Sequence, residues 1–413
     1  MSYRPVFLIV FLAVFFCAAL ARADEFRLVP SVVVEEDYNS NFEFVTKGGK
    51  SDFITSLIPG VEMVDNTGRL ATDLVLNAAR LEYADNSALD ATNYMFNGSV
   101  QYGVTPLFTI SGSAGYSRNS NPNLSIAPTG FVSVAVPVDR LSSSLSADYK
   151  LTERTEVVAS YSYGADYYNN PAYLDDISQN VKAGLVYDLG EYSPTLKGRI
   201  NGVYSYYSFP DSRTDSYEST VGFSRDFNEK WSISVDSGIS YTRSKIPQTQ
   251  YIEVFTEYQG LPYLVFVPVT EQLKTGGWGW VATATLNYKA ERGGGALTYT
   301  RNIIPAYGLN GVAEQNALAI SSQYQLTNEF STLCSAGYST LSSALGNLSS
   351  TTLNQRILRI SPGVRYDFSI VSSRDLSLQA SYEYMMVDYP TSKTDAHRQV
   401  VSFRITLQHP FFE

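Results

Sequence analysis

Apolar and polar residues alternate with a period of two along most of this chain. Trp231, Ile233, Val235, Ile239 and Tyr241 fall on one face, and Ser232, Ser234, Asp236, Gly238, Ser240 and Thr242 on the other. Trp278, Trp280, Ala282, Ala284, Leu286 and Tyr288 repeat the pattern, as do Leu376, Leu378, Ala380, Tyr382, Tyr384 and Met386. Strict alternation marks a strand with one apolar and one polar face. The segments run to about 10 to 16 residues, longer than the strands of most soluble sheets. Eighteen such strands are predicted between residues 26 and 409, or sixteen if the weak pair 106–117 and 139–150 is discounted.

A second pattern is laid over the first. An aromatic, any residue and an apolar residue precede a short polar turn at Tyr102-Gly-Val, Tyr149-Lys-Leu, Tyr187-Asp-Leu, Tyr288-Lys-Ala, Tyr324-Gln-Leu and Tyr366-Asp-Phe. The joints that follow, among them Thr152-Glu153-Arg154, Gly190-Glu191, Asn228-Glu229 and Thr327-Asn328, use turn-forming residues. Most connections of the opposite parity are longer, and 244–275 is the longest. Short turns at one end and long loops at the other predict an all-β, antiparallel, up-and-down transmembrane β-barrel with periplasmic turns and extracellular loops. Tyr102, Tyr149, Tyr187, Tyr288, Tyr324 and Tyr366 then form a periplasmic aromatic girdle.

Targeting agrees with this topology. Arg4, the apolar run Val6–Leu20 and the small residues around Ala21-Arg22-Ala23 have the form of a secretory signal. Residues 1–23 are therefore expected to be cleaved, leaving 24–413 as the barrel. No later segment has the apolar length of a membrane helix. Mean hydropathy is −0.11 and 31 of the 413 residues are tyrosine, with the apolar residues dispersed by alternation rather than clustered in helical stripes. Loss of Arg4 and Arg22 takes the net charge from −10 to −12, which argues against a nucleic-acid partner. Only Cys334 remains after cleavage, so neither a disulfide within the chain nor a cysteine metal site is expected. The expected location is the bacterial outer membrane, with lipid and the barrel-assembly machinery as partners.

The small, polar face is expected to line the lumen. Its charged candidates include Lys182, Lys197, Arg199, Asp236, Arg359, Arg365, Glu383 and Arg404. Two readings of these charges stand side by side: contact with an anionic polymer or other anion, or pairing with facing carboxylates that orders a wet wall. Inward aromatics are expected to be few. The connection 244–275 either folds into the lumen or extends two strands above the membrane. His397 and His409, the only histidines, are placed at opposite ends of one strand. No Gly-x-Ser-x-Gly, His-Glu-x-x-His or P-loop occurs. The expectation is a barrel that is not an enzyme and holds no cofactor or metal.

The last strand, Val401 to Leu407, alternates and is followed by Phe411-Phe412-Glu413, which resembles in part the signal read by the barrel-assembly machinery. Near the start, Pro30-Ser31-Val32-Val33-Val34-Glu35-Glu36-Asp37-Tyr38-Asn39-Ser40-Asn41-Phe42 resembles the opening of outer-membrane β-barrels encoded with exopolysaccharide export systems. Ser56-Leu57-Ile58-Pro59-Gly60-Val61 is similar to a Thr/Ser-Leu-x-Pro-Gly segment of the same family. The family usually shows Asp-Asn where Ser40-Asn41 stands. The resemblance covers about 40 residues and implies a porin-like pore that assists polysaccharide export, with periplasmic export components as further partners. It carries over no binding residue. The alternatives are a general-diffusion porin for small polar solutes and a structural or surface-binding barrel.

Overall fold

A computed structural model describes residues 26–120, 137–171, 173–258, 261–306, 311–343, 354–368 and 376–411. The expected signal segment, the final Phe412-Glu413, most of the connections 118–138 and 342–352, and the joint after Phe368 lie outside these residues.

The described residues form eighteen strands. They are β1 (Phe26–Asn39), β2 (Asp52–Asn66), β3 (Leu70–Tyr83), β4 (Ala91–Thr105), β5 (Phe108–Asn119), β6 (Val138–Lys150), β7 (Thr155–Tyr168), β8 (Asp176–Asp188) and β9 (Lys197–Ser208). The second half holds β10 (Arg213–Asp226), β11 (Trp231–Tyr258), β12 (Leu261–Ala290), β13 (Gly293–Pro305), β14 (Val312–Gln325), β15 (Phe330–Ser343), β16 (Gln355–Phe368), β17 (Leu376–Tyr389) and β18 (Thr394–Gln408). Each strand pairs antiparallel with the next, and β1 pairs with β18 from Ser31↔Gln408 to Asn39↔Val400. The barrel is thus closed, and every wall strand has two neighbours, as a backbone in hydrocarbon requires. The pair 106–117 and 139–150 is present as β5 and β6, so the count is eighteen.

The joints at the periplasmic end show why strands stop and restart there. The side-chain oxygen of Thr152 accepts the Thr155 N–H (3.0 Å), that of Thr327 the Phe330 N–H (3.0 Å), and that of Asn228 the Trp231 N–H (2.9 Å). Each side chain stands in for the ladder partner the turning backbone loses. One joint differs from expectation. Gly190-Glu191 was expected to be a tight turn, yet the connection runs from 189 to 196, closed by Leu189 N–H to Leu196 O (2.8 Å). Thr195, at φ +64°, bonds the Asp226 carbonyl of the next hairpin through its hydroxyl (2.6 Å), which anchors the longer loop.

The two faces of the wall separate cleanly. Ile200, Tyr204, Tyr217, Val221, Phe223, Ile239 and Trp278 are exposed, while the intervening Ser205, Thr214, Ser216, Ser240 and Thr242 are buried. An apolar outer face on a closed barrel with an even number of strands is a surface made for lipid, and the chain is a bacterial outer-membrane barrel. The rung Trp231↔Tyr288 lies ten residues from the rung Tyr241↔Trp278. At a strand rise of about 3.3 Å and a tilt of about 40°, that separation is about 25 Å, the height of the apolar band. Both rungs carry ring pairs, with centroids 4.6 Å and 5.0 Å apart.

Candidate functional site

The lumen is the concave surface the fold creates, and its wall is built from the polar half of each alternating strand. Serine and small amide side chains dominate around β2 to β6, where Ser99, Ser111, Ser113, Ser144 and Gln101 line a recess of about 400 Å³. A second recess of about 880 Å³ lies on the periplasmic side of β12 to β17, lined in part by Gln323, Ser335, Asp367, Gln379 and Ser381.

Several arginines of this wall are paired with carboxylates. Arg199 donates to Asp236 through Nε (3.2 Å) and Nη2 (2.7 Å), and Nη2 also reaches the Ser234 hydroxyl. Arg140 holds Asp166 with two parallel bonds of 2.8 Å and 3.0 Å. Arg365 donates to Asp367 (2.8 Å), two residues along its own strand. Arg404 donates to Glu35 from Nε and Nη2 (3.0 and 2.7 Å), a pair that joins the last strand to the first. Glu383 lies between two cations, Arg359 (2.5 Å) and Arg398 (2.8 Å). Of the two readings of the lumen charges, pairing describes Arg199, Arg359, Arg365 and Arg404. Among the described residues, neither Lys182 nor Lys197 has a carboxylate within ion-pair distance. Lys182 stands beside Ser160 and Val203, and Lys197 beside Asp188 and Ser224.

The mouth of the lumen is narrowed by an element that the alternation does not reveal. Residues 40–51, between β1 and β2, turn inward. Asn41 organises them. Its amide N–H groups donate to the carbonyls of Val45 and His397 (both 2.9 Å), and its Oδ1 accepts the Val45 N–H (3.1 Å). The Phe42 N–H bonds Lys50 O (3.1 Å), which closes the loop on itself. Phe42 is buried against Ile54, Leu81 and Tyr83 of β2 and β3. Phe44 joins a second buried cluster with Ile304, Ala313, Leu341, Ile357, Met385, Val387 and Ala396 from β13 to β18. Phe44 has φ +52°, a region few bulky side chains occupy. Packing on several sides holds it there. Apolar residues that would be wasted facing water thus form a small core inside the extracellular end of the barrel.

Arg398 belongs to this core. Its side chain is fully buried, lies over the Phe44 ring (5.3 Å from Cζ to the centroid) and bonds Glu383. Its role is not legible in the sequence, where a lone arginine in an alternating strand reads as one more lumen charge. The spacing of two aromatics, Phe42 and Phe44, in an otherwise polar loop was the available signal for the inward fold. The inward aromatics are few, as expected, and Phe42, Phe44, Tyr83 and Tyr207 among them are buried in apolar clusters.

The connection 244–275 takes the other course open to it. β11 and β12 stay paired from Trp231↔Tyr288 to Tyr258↔Leu261, so they continue as a two-stranded hairpin well past the point where β12 leaves β13. β12 stops pairing with β13 at Ala282↔Arg301. Above that point, β9 reaches across to β13: the Tyr207 hydroxyl donates to Ile303 O (3.1 Å), and Tyr207, Phe209 and Val312 pack together. The wall therefore closes behind the projecting hairpin.

Tyr102, Tyr149, Tyr187, Tyr288, Tyr324 and Tyr366 are placed near the ends of β4, β6, β8, β12, β14 and β16 as exposed side chains. Tyr149 meets Phe108 and Tyr366 meets Phe368 edge-on. His397 sits on the outer face, its Nδ1 2.8 Å from the Tyr384 hydroxyl and its Nε2 beside the Asp395 carboxylate. His409 packs against Phe411 at the other end of the last strand. In the turn after β7's predecessor, Arg154 pairs with Glu191, and that hydrogen bond raises the guanidinium pKa further above its ordinary value.

No family model matches the chain, and no curated protein matches it in sequence. Solved outer-membrane barrels are similar to it in shape. OccAB4 of Acinetobacter baumannii shares 8% identity over 94% of this chain and 99% of its own, with a TM-score of 0.48. OccK2 (OpdF) of Pseudomonas aeruginosa shares 8% identity over 95% of this chain and 99% of its own, with a TM-score of 0.46. OpdK of Pseudomonas aeruginosa, solved with vanillate, shares 7% identity over 93% and 99%, with a TM-score of 0.42.

Proposed function

We propose that this barrel is a passive pore for small polar solutes. The observation that carries the proposal is the build of the lumen: a wall of hydroxyls, amides and neutralised ion pairs, with loop 40–51 packed into its extracellular mouth. A hydrated wall whose arginines are held by carboxylates offers a polar solute exchangeable hydrogen bonds along its path. A loop across the mouth sets an upper size on what passes. The proposal involves no catalysis, cofactor or metal, and the lipid bilayer and assembly machinery are its partners.

Assistance to polysaccharide export has narrower support. The residues that carry that resemblance, Pro30 to Phe42 with Ser56 to Val61, build the first hairpin and the start of the inward loop. They account for a shared architecture without a polymer site.

Reconstitution of the full chain in planar bilayers and in liposomes tests the proposal. Stable conductance, together with swelling in small sugars that falls off with solute size, is the expected result. A chain that inserts but conducts nothing defeats the pore reading. A deletion strain that loses surface polysaccharide while its small-solute uptake is intact favours export instead.

A further inference from the structure

We infer that the outer surface of β10, β11 and β12 is a docking site for the phosphorylated glycolipid of the outer leaflet. Arg213, Lys245 and Lys274 stand in a single rung across these three strands, Arg213 opposite Lys245 and Lys245 opposite Lys274. Their parity is that of Tyr217, Tyr241 and Trp278, so they point outward, while Thr214 and Ser244 between them are buried and bond each other at 2.6 Å. Like charges directly opposite one another on a sheet repel, and three in a row ask for an external anion. Two residues below, Arg243 stands opposite Asp215, whose carboxylate accepts the Tyr204 hydroxyl (2.8 Å). Among the described residues, no carboxylate lies within ion-pair distance of Arg213, Arg243, Lys245 or Lys274. Four cations thus face one carboxylate that is already engaged.

The height of the rung identifies the anion. The aromatic rung of Tyr204, Tyr217, Tyr241 and Trp278 marks the extracellular limit of the apolar band. The basic rung is four residues further out. At about 3.3 Å per residue and about 40° of tilt, this is about 10 Å above the rings, within the headgroup layer. Long Lys and Arg stems reach along such a surface with their charge in the polar zone. Phosphates of the outer-leaflet lipid lie at that level, with acyl chains below them to pack on Trp278, Trp280 and Ile239, all exposed. The inference is independent of what passes through the lumen.

The test uses the full chain in detergent, titrated with bis-phosphorylated lipid A and followed by native mass spectrometry. Dephosphorylated lipid A, inorganic phosphate and the triple variant Arg213→Gln, Lys245→Gln, Lys274→Gln provide the comparisons. A basic residue beside an anionic lipid surface is worth about fivefold, so the triple variant is expected to bind roughly 100-fold more weakly. Lys393→Gln, in the turn between β17 and β18, is expected to bind as the parent does. Dephosphorylated lipid is expected to lose affinity for the parent protein to a similar extent, a comparison that needs no variant to fold. Inorganic phosphate at millimolar concentration is expected to leave the lipid bound. Equal binding of the phosphorylated and dephosphorylated lipids, a triple variant within twofold of the parent, or displacement by inorganic phosphate would each overturn the assignment.

Discussion

The guanidinium of Arg398 lies over the ring of Phe44, 5.3 Å from its centroid, inside the barrel and out of contact with solvent. A β18 side chain thereby holds down a loop that begins at the end of β1. Arg398 bonds Glu383 through Nη2, while its Nε and Nη1 make no hydrogen bond among the described residues. Glu383 has a second cation in Arg359. The two ends of this ion pair therefore differ in what their loss leaves behind.

Glu383→Ala takes from the buried Arg398 the carboxylate it is hydrogen-bonded to. It is expected to destabilise the folded barrel by about 3–5 kcal/mol, the cost of breaking a buried ion pair by removing one partner. Arg398→Met leaves Glu383 paired with Arg359 and places an apolar side chain against Phe44 and Met385. Its cost is expected to be below about 2 kcal/mol. Urea unfolding in lipid, read by loss of heat-modifiable gel migration, checks the order. Equal losses would show that Arg359 does not compensate Glu383.

Phe42→Ala empties the contact with Ile54, Leu81 and Tyr83. Truncation of a buried phenylalanine costs about 3–5 kcal/mol where the surroundings cannot collapse. Here the loss falls on the loop, because the strands keep their ladders. The expected outcome is a barrel that still assembles and has a higher, noisier single-channel conductance. Removal of residues 42–50 should raise conductance further. A conductance unchanged by both would mean that this loop does not set the width of the mouth.

The pair Arg199–Asp236 is partly exposed to the lumen, with side-chain exposures of 22% and 23%. Asp236→Asn leaves a net positive charge there, and Arg199→Gln a negative one. At about 8 Å in water a unit charge is worth about 0.5 kcal/mol to a passing ion. The reversal potential in a salt gradient should therefore shift by about a twofold permeability ratio, toward anions for Asp236→Asn and toward cations for Arg199→Gln. The double variant should return to the parent value. The shifts should shrink as salt is raised.

Leu145 and Ser144 are neighbours on β6 with opposite faces: Leu145 is exposed to lipid, and the Ser144 hydroxyl lies 2.7 Å from that of Ser113 on the polar wall. Leu145→Arg is expected to cost about 2–4 kcal/mol, as for a cation near the bilayer midplane. Ser144→Arg should cost much less and lower the conductance. Refolding yields into lipid vesicles compare the two, and the reverse ranking would mean that the faces are exchanged.

The hairpin beyond Pro247↔Gln272 lies above the closed wall. Replacement of residues 248–271 by a two-residue turn should leave assembly and conductance as they are. A rise in conductance would place the hairpin over the mouth.

The alternation by itself determined the strands' faces and an antiparallel barrel of sixteen or eighteen strands, because a period of two leaves one choice of face once an apolar surface must meet lipid; the pairing of β5 with β6 decided for eighteen. The tyrosines before short turns and the threonine and asparagine turn residues marked the end at which the strands are joined by short turns. Three things were decided only in three dimensions. Glu35 and Arg404 are neighbours solely because the barrel closes β1 on β18, so no local pattern pairs them. The joint from 189 to 196 is longer than its residues suggest because Thr195 bonds the adjacent hairpin. The loop 40–51 has no periodicity, and Lys47-Gly48-Gly49-Lys50 reads as surface. It folds inward because Phe42 and Phe44 find apolar residues from β2, β3 and β13 to β18, a surface that exists only once the strands have closed into a ring.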